Sequence, residues 1–253
     1  MPLVEDPELQ RRLLTGDPIR HVELLDIVDR DPPGSLGLFV DDVERPGNLV
    51  ASVWGGGVLA MTNEVHVLAQ RVGGLDHLLD ELPRGQGTYE FYAPWWVAPA
   101  LNQIFKTETS GPVARYQLRS GSLRPHPAAR QTVPFEDLEL VRLAFPRLVP
   151  EAPHRALVLR EALVAIAVTT AIAEGVALIG VHVPEAHRGH GFGAGVVSAL
   201  AADLLDRGLT PVALVPMASE RAVRLFEGLG FLLHEVVMRA VAVGRLAPGG
   251  GAR

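Results

Sequence analysis

One stretch restricts the fold of this chain more than any other. A strand, a glycine-dense loop and a helix follow one another in Val181-His182-Val183-Pro184-Glu185-Ala186-His187-Arg188-Gly189-His190-Gly191-Phe192-Gly193-Ala194. Residues 176–183 have strand composition. From Gly193 onward, Val197, Leu200 and Leu204 recur at helical spacing, with Asp203, Asp206 and Arg207 on other faces. Glycines let successive backbone amides point to one side and let a ligand approach the main chain. The helix N-terminus adds roughly half a positive charge. The pattern predicts a cradle for a pyrophosphate at the start of this helix.

Three ligand classes use such a cradle. A nucleoside-triphosphate loop needs Gly-Lys-Ser/Thr, and the only lysine is Lys106, so that class is excluded. A dinucleotide fingerprint is formally met by Gly189-x-Gly191-x-x-Ala194. That fingerprint, however, follows its strand closely and meets an acid at the end of a second strand about 20 residues on. Here residues 184–188 intervene, and the acids in range, Asp203 and Asp206, sit on the helix itself. Coenzyme A is the third class.

A second motif lies about thirty residues downstream, in Ser219-Glu220-Arg221-Ala222-Val223-Arg224-Leu225-Phe226-Glu227-Gly228-Leu229-Gly230-Phe231. Taken with Arg188-Gly189-His190-Gly191-Phe192-Gly193, it resembles the GNAT acetyltransferase superfamily over residues 134–245. That superfamily's loop reads Gln/Arg-x-x-Gly-x-Gly/Ala. Its later motif reads Asn-x-x-Ala-x-x-Leu/Phe-Tyr-x-x-x-Gly-Phe. The first half of the chain resembles a degenerate second lobe, as in two-lobed members similar to glycine N-acyltransferases.

The resemblance implies an α/β GNAT fold with a mixed, mostly antiparallel sheet flanked by helices. It implies an N-terminal lobe over residues 1–125 and a C-terminal acyl-CoA-binding domain over 126–253. It implies acetyl-CoA as acyl donor and direct transfer to the primary amine of a small molecule or peptide. The backbone of Val181, His182 and Val183 should pair with the pantetheine arm, and amides from Arg188, Gly189, His190, Gly191, Phe192, Gly193 and Ala194 should hold the pyrophosphate. Ser219 stands where the family has Asn near the pantetheine. Phe226 stands on the cofactor side where the family often has a Tyr that protonates the leaving thiolate. The tyrosines of this chain are Tyr89, Tyr92 and Tyr116, so a phenolic acid has to come from the first lobe, or else the thiolate leaves unassisted or through water. The alternative is a non-catalytic coenzyme A-binding regulatory module.

Acylation needs a free amine, and a lysine-like amine has a pKa of about 10.4. A base within reach must take its proton. Glu174 is the first candidate, by analogy with GNAT members that carry a glutamate ahead of this strand. On a strand regular from there it shares a face with His182. It reads equally as a turn residue between two strands. His182 is the second candidate, since an unperturbed imidazole titrates at about 6.5, and it reads equally as a strand histidine with no chemical role. His182, His187 and His190 fit no common metal-ligand spacing.

Composition narrows the classes further. There are no cysteines, which excludes disulfides, thiolate catalysis and cysteine metal sites. The formal charge of −6, with no block of basic residues, argues against nucleic-acid binding. No apolar run approaches the roughly 20 residues of a membrane span. The acidic start Met1-Pro2-Leu3-Val4-Glu5-Asp6 is unlike a signal peptide, so a cytoplasmic monomer or homodimer is expected.

The rest of the chain reads as helices in the first thirty residues, one of them capped by Asp17-Pro18. Strands follow at 36–40, 49–54 and 58–61, the last two joined by a Gly55-Gly56-Gly57 turn. Short helices are expected around Leu75–Leu82 and Leu101–Phe105, and strands at 88–92 and 115–118. Residues 120–132, with Pro125 and Pro127, read as a linker, and 134–145 as a helix. Three antiparallel strands are expected at 156–159, 163–170 and 176–183. After the helix come a strand at 212–215, a helix capped by Ser219 and a strand at 231–243. Residues 248–251 read as a flexible tail. The cluster Tyr89, Phe91, Tyr92, Trp95 and Trp96 reads as core between the lobes or as one wall of an acceptor pocket.

Overall fold

The computed structural model describes residues 3–32, 34–53, 62–71, 73–82, 88–142 and 144–245. In chain order its elements are β1 (Leu3–Val4), α1 (Pro7–Leu14), α2 (Pro18–Arg30), β2 (Leu36–Val40), β3 (Asn48–Val53), β4 (Thr62–Ala69), α3 (Leu75–Asp80), β5 (Thr88–Ala93) and α4 (Ala98–Ile104). They continue with β6 (Phe105–Gln117), β7 (Val133–Pro134), β8 (Arg155–Leu159), β9 (Ala162–Ala173), β10 (Val176–His182), α5 (Phe192–Asp206), β11 (Thr210–Pro216), α6 (Glu220–Gly228) and β12 (Leu232–Arg245). The expected strand at 58–61, the Gly55–Gly57 turn and the tail at 248–251 lie outside the described residues. Among the described residues no helix is long and apolar enough to cross a membrane.

The chain forms two units. The first comprises Met1–Gly16, Ile27–Val113 and Val236–Arg253, the second Asp17–Asp26 and Ala114–Glu235. The expected single boundary near residue 125 is therefore replaced by four crossings. Two of them fall inside β6 and β12, which a boundary drawn from polar composition cannot locate.

In the first unit the strands run β1-β2-β3-β4-β5-β12. All neighbours are antiparallel except β4 and β5, which are parallel. β4 was not anticipated. Val65, His66 and Val67 are buried in succession, and His66, 4% exposed and stacked on Tyr92, interrupts the apolar run that would have marked the strand. The aromatic cluster divides. Tyr89 and Phe91 are buried within this unit's own core, with the Phe105 ring 5.1 and 4.8 Å from theirs, whereas Trp95 is 77% exposed.

In the second unit the order is β12-β6-β11-β10-β9-β8-β7. β8, β9 and β10 form the expected antiparallel meander. Its two-residue turns, Arg160-Glu161 and Glu174-Gly175, have positive φ at both positions, as the turns that match strand twist require. α5 then returns the chain to β11, parallel to β10. It buries Val196, Val197, Leu200, Ala201 and Leu204 against one sheet face. Asp17 caps α2 by accepting the Arg20 amide at 3.1 Å, as expected.

Two expectations fail here. Residues 134–145 are not an α-helix but the two-residue strand β7 and a short 3-10 turn at Leu138–Leu140. Phe135, Leu138, Val141 and Phe145 instead pack on the sheet face that carries Ala156, Ile166 and Val168. The apolar residues of the run are buried by the sheet face directly, without a helix. The predicted linker at 120–132 is a packed strap. Arg124 donates its amide to the Leu229 carbonyl at 2.9 Å, and His126 donates its amide to Ser198 Oγ at 3.0 Å.

Beneath β8, His154 is 5% exposed, and its Nδ1 accepts the Thr169 amide at 3.3 Å. Burial holds its imidazole below the ordinary range, against the pull of the Val149 and Pro150 carbonyls. A depressed folded-state value means that the unfolded chain takes the proton first. The stability contribution is therefore complete above about pH 6.5 and is lost as pH falls below it. The denaturant midpoint is expected to decline from pH 7 to 5, and less steeply in a His154→Gln variant. Parallel declines would assign the slope to other groups.

Candidate functional site

The cleft begins where two strands part. β10 and β11 pair only at Val176↔Thr210, Ala177↔Pro211 and Leu178↔Val212. β11 runs on to Pro216, while β10 continues to His182 bonded to β9 on its other side. Beyond Leu178 the facing edges of β10 and β11 form a wedge with no ladder between them. Backbone donors and acceptors in such a wedge need partners, and an extended ligand carrying amides would supply them.

The wedge opens into a cleft of about 680 Å³ lined by Val181–Val183, the glycine loop, the first turn of α5, and Ser219, Ala222 and Leu225 of the α6 region. α5 starts after Gly191, and its first internal bond is Gly195 N to Gly191 O at 3.0 Å. The amides of Phe192, Gly193 and Ala194 therefore have no helical carbonyl to bind. Arg188 fixes the loop by donating Nε to the Val183 carbonyl at 3.0 Å. Arg188, Arg221 and Arg224 line the cleft, and among the described residues no carboxylate does. Arg224 is paired with Glu220 at 3.1 Å. Free helix amides, guanidinium groups and a missing negative charge suit phosphate groups.

Residues 158–240 match the family model described as FR47-like protein. A GCN5-related N-acetyltransferase-like protein from Streptococcus suis is similar at 17% identity and TM-score 0.59, covering 93% of this chain and 98% of its own. A GCN5-related N-acetyltransferase from Kribbella flavida gives 16% and 0.60, covering 91% and 95%. A tandem GNAT protein from the clavulanic acid biosynthesis pathway gives 15% and 0.58, covering 93% of both chains. The chain has the fold of these solved GNAT structures. No curated protein matches its sequence.

Val181, His182, Val183, Arg188, Gly189, Gly191, Phe192, Gly193, Ala194 and Ser219 all line the cleft. Three other candidates do not. His190, expected to contribute its backbone amide, has its ring stacked 5.5 Å from Phe192 and its Nδ1 within 3.0 Å of the Arg188 carbonyl. Phe226 is 3% exposed and packs edge-on against Phe231 at 5.1 Å, inside the core of the second unit. Glu174 occupies the β9–β10 turn with φ 47, at the end of β10 away from the glycine loop. The turn also breaks the strand continuity that would have put it on the face of His182. Ser219 holds the N-cap position of α6, but its side chain makes no capping bond.

His187, Arg221 and Arg224 were missed. The two arginines lie three residues apart in the first turns of an amphipathic helix that begins at the cleft. That spacing was readable once the helix start was known. Tyr116, assigned to the first lobe by position, belongs to the second unit. It is 3% exposed and donates its hydroxyl to Glu227 Oε1 at 2.9 Å. Burial and that carboxylate hold the phenol above its usual range.

Proposed function

We propose that this protein is an acyl-CoA-dependent N-acyltransferase, moving acetyl from acetyl-CoA directly to a primary amine of a small molecule or peptide. The observation that carries this reading is the wedge between β10 and β11 leading into an arginine-lined glycine cradle. In the reading, the amides of Phe192, Gly193 and Ala194, with Arg188, hold the pyrophosphate, and Arg221 and Arg224 meet further phosphate charge. The backbone of residues 179–183 takes the pantetheine amides. The amine nitrogen attacks the thioester carbonyl, a C–N bond forms, and the C–S bond breaks. An N–H in the wedge stabilises the tetrahedral oxyanion. The amine proton passes to His182, directly or through water, and the thiolate takes a proton from water. Glu174, about four residues of strand from the wedge apex and so roughly 13 Å away, does not serve as the base.

Calorimetric titration with acetyl-CoA, with NAD as control, tests the cradle. Micromolar binding of the first alone is expected, and binding of neither overturns the reading. His182→Gln is expected to lower kcat about a hundredfold or more with little change in acetyl-CoA affinity. Unchanged turnover would remove His182 from the base role.

One observation favours a non-catalytic coenzyme A-binding module as a second reading. Among the described residues no tyrosine lines the cleft, and Tyr116 is committed to Glu227. Thiol release across an amine panel separates the two readings, since the module binds acetyl-CoA without releasing coenzyme A.

A further inference from the structure

The face of β10 opposite α5 carries one contact that the cleft chemistry leaves unexplained. Val181, Val183 and Ile179 pack toward the α5 side. Gly180, alternating with them, projects to the other face. A Cβ at Gly180 would lie 2.5 Å from Phe145 Cε1 and 2.8 Å from Phe145 Cδ1. The Phe145 ring thus rests directly on the backbone of β10, two residues past the last β10–β11 pair. This approach is open only because residue 180 has no side chain. The ring belongs to the segment between β7 and β8. Its inner edge packs with the cluster of Val141, Leu148, Ile166 and Val168, and it remains half-buried.

We propose that Phe145 sets the acyl-chain length accepted by the site, closing the space beyond the thioester so that only a short acyl group fits. The inference rests on the proposed reading of the cleft. A pantetheine arm running along Val183 to Ile179 delivers its thioester carbonyl to the apex of the wedge. From there the arm and loop occupy the α5 side, so the acyl chain extends through the wedge to the opposite face. Phe145 stands over the backbone there, with the smaller Thr170 beside it, whose Cγ2 would lie 3.2 Å from a Cβ at Gly180. Acetyl ends short of the ring, whereas a longer chain must displace it and the apolar cluster behind it.

The test is equilibrium binding of coenzyme A, acetyl-CoA and hexanoyl-CoA to the wild-type chain, Phe145→Ala and Phe145→Leu, each checked for cooperative thermal unfolding. The wild-type chain is expected to bind acetyl-CoA about tenfold or more tighter than hexanoyl-CoA. Phe145→Ala should reverse or abolish that preference, Phe145→Leu should fall between, and affinity for coenzyme A itself should stay within about threefold in all. Phe145→Leu keeps most of the apolar volume and carries the test where Phe145→Ala does not fold. An unchanged preference with coenzyme A still bound overturns the role of Phe145 and leaves the cleft reading standing. Failure of the wild-type chain to bind coenzyme A overturns both.

Discussion

Gly191→Glu is expected to weaken acetyl-CoA binding at least a thousandfold, about 4 kcal/mol. Three effects combine at this position. Gly191 has φ 79, a backbone conformation that costs any residue with a Cβ about 1–2 kcal/mol. A Cβ there would lie 2.9 Å from His126 Cε1. His126 cannot simply swing aside, because its amide is held by Ser198 and its Nδ1 accepts the Ala128 amide at 3.2 Å. The introduced carboxylate would also stand where phosphate charge is held and repel it. Gly191→Ala keeps the first two effects without the charge and is expected to lose about ten- to a hundredfold. Calorimetry checks both, with thermal unfolding to confirm that the variants remain folded. Undiminished affinity in Gly191→Glu would show that the loop is not the pyrophosphate site.

The second large effect concerns stability. Arg115→Met is expected to destabilise the chain by about 3–5 kcal/mol, lowering Tm by roughly 6–20 °C. Arg115 is 2% exposed. Its Nη1 donates to Glu23 Oε2 at 3.0 Å, and its Nε lies 3.3 Å from Glu235 Oε1. Glu235 also accepts from Arg20 Nε at 2.8 Å, and Arg20 lies near Asp17, which meets His234 at 3.2 Å. Methionine matches the length of the aliphatic stem but leaves two largely buried carboxylates without the charge between them. Removing one partner of such a group is far costlier than replacing the whole group with neutral side chains. The double variant Arg115→Met/Glu23→Gln should therefore recover part of the loss. Thermal unfolding measures both, and equal Tm values for Arg115→Met and the wild-type chain would show that the network contributes nothing net.

The amino-acid sequence determined the local order of the second unit. The β8–β9–β10 meander, the strand–glycine loop–helix unit and the α6 helix were all legible, because side-chain period and turn chemistry act over a few residues. The same locality made most of the cleft readable, since Val181 to Ala194 is contiguous in the chain. What depends on long sequence separation was decided only by the tertiary structure. Asp17–Asp26 joins the second unit through Glu23 and Asp26, the latter accepting the Ile172 amide at 2.9 Å across 146 residues. The 120–132 strap looks polar in sequence because its interactions are made by backbone amides, which composition does not report. Phe226 was chosen by its spacing in the motif, yet its ring packs on Phe231 inside the core, while Ala222 and Leu225 of the same helix reach the cleft. Phe145 carried a helical period that the sheet beneath it satisfied without a helix. Periodicity marks which residues seek burial, but the partner that buries them is chosen by the packing of the whole unit.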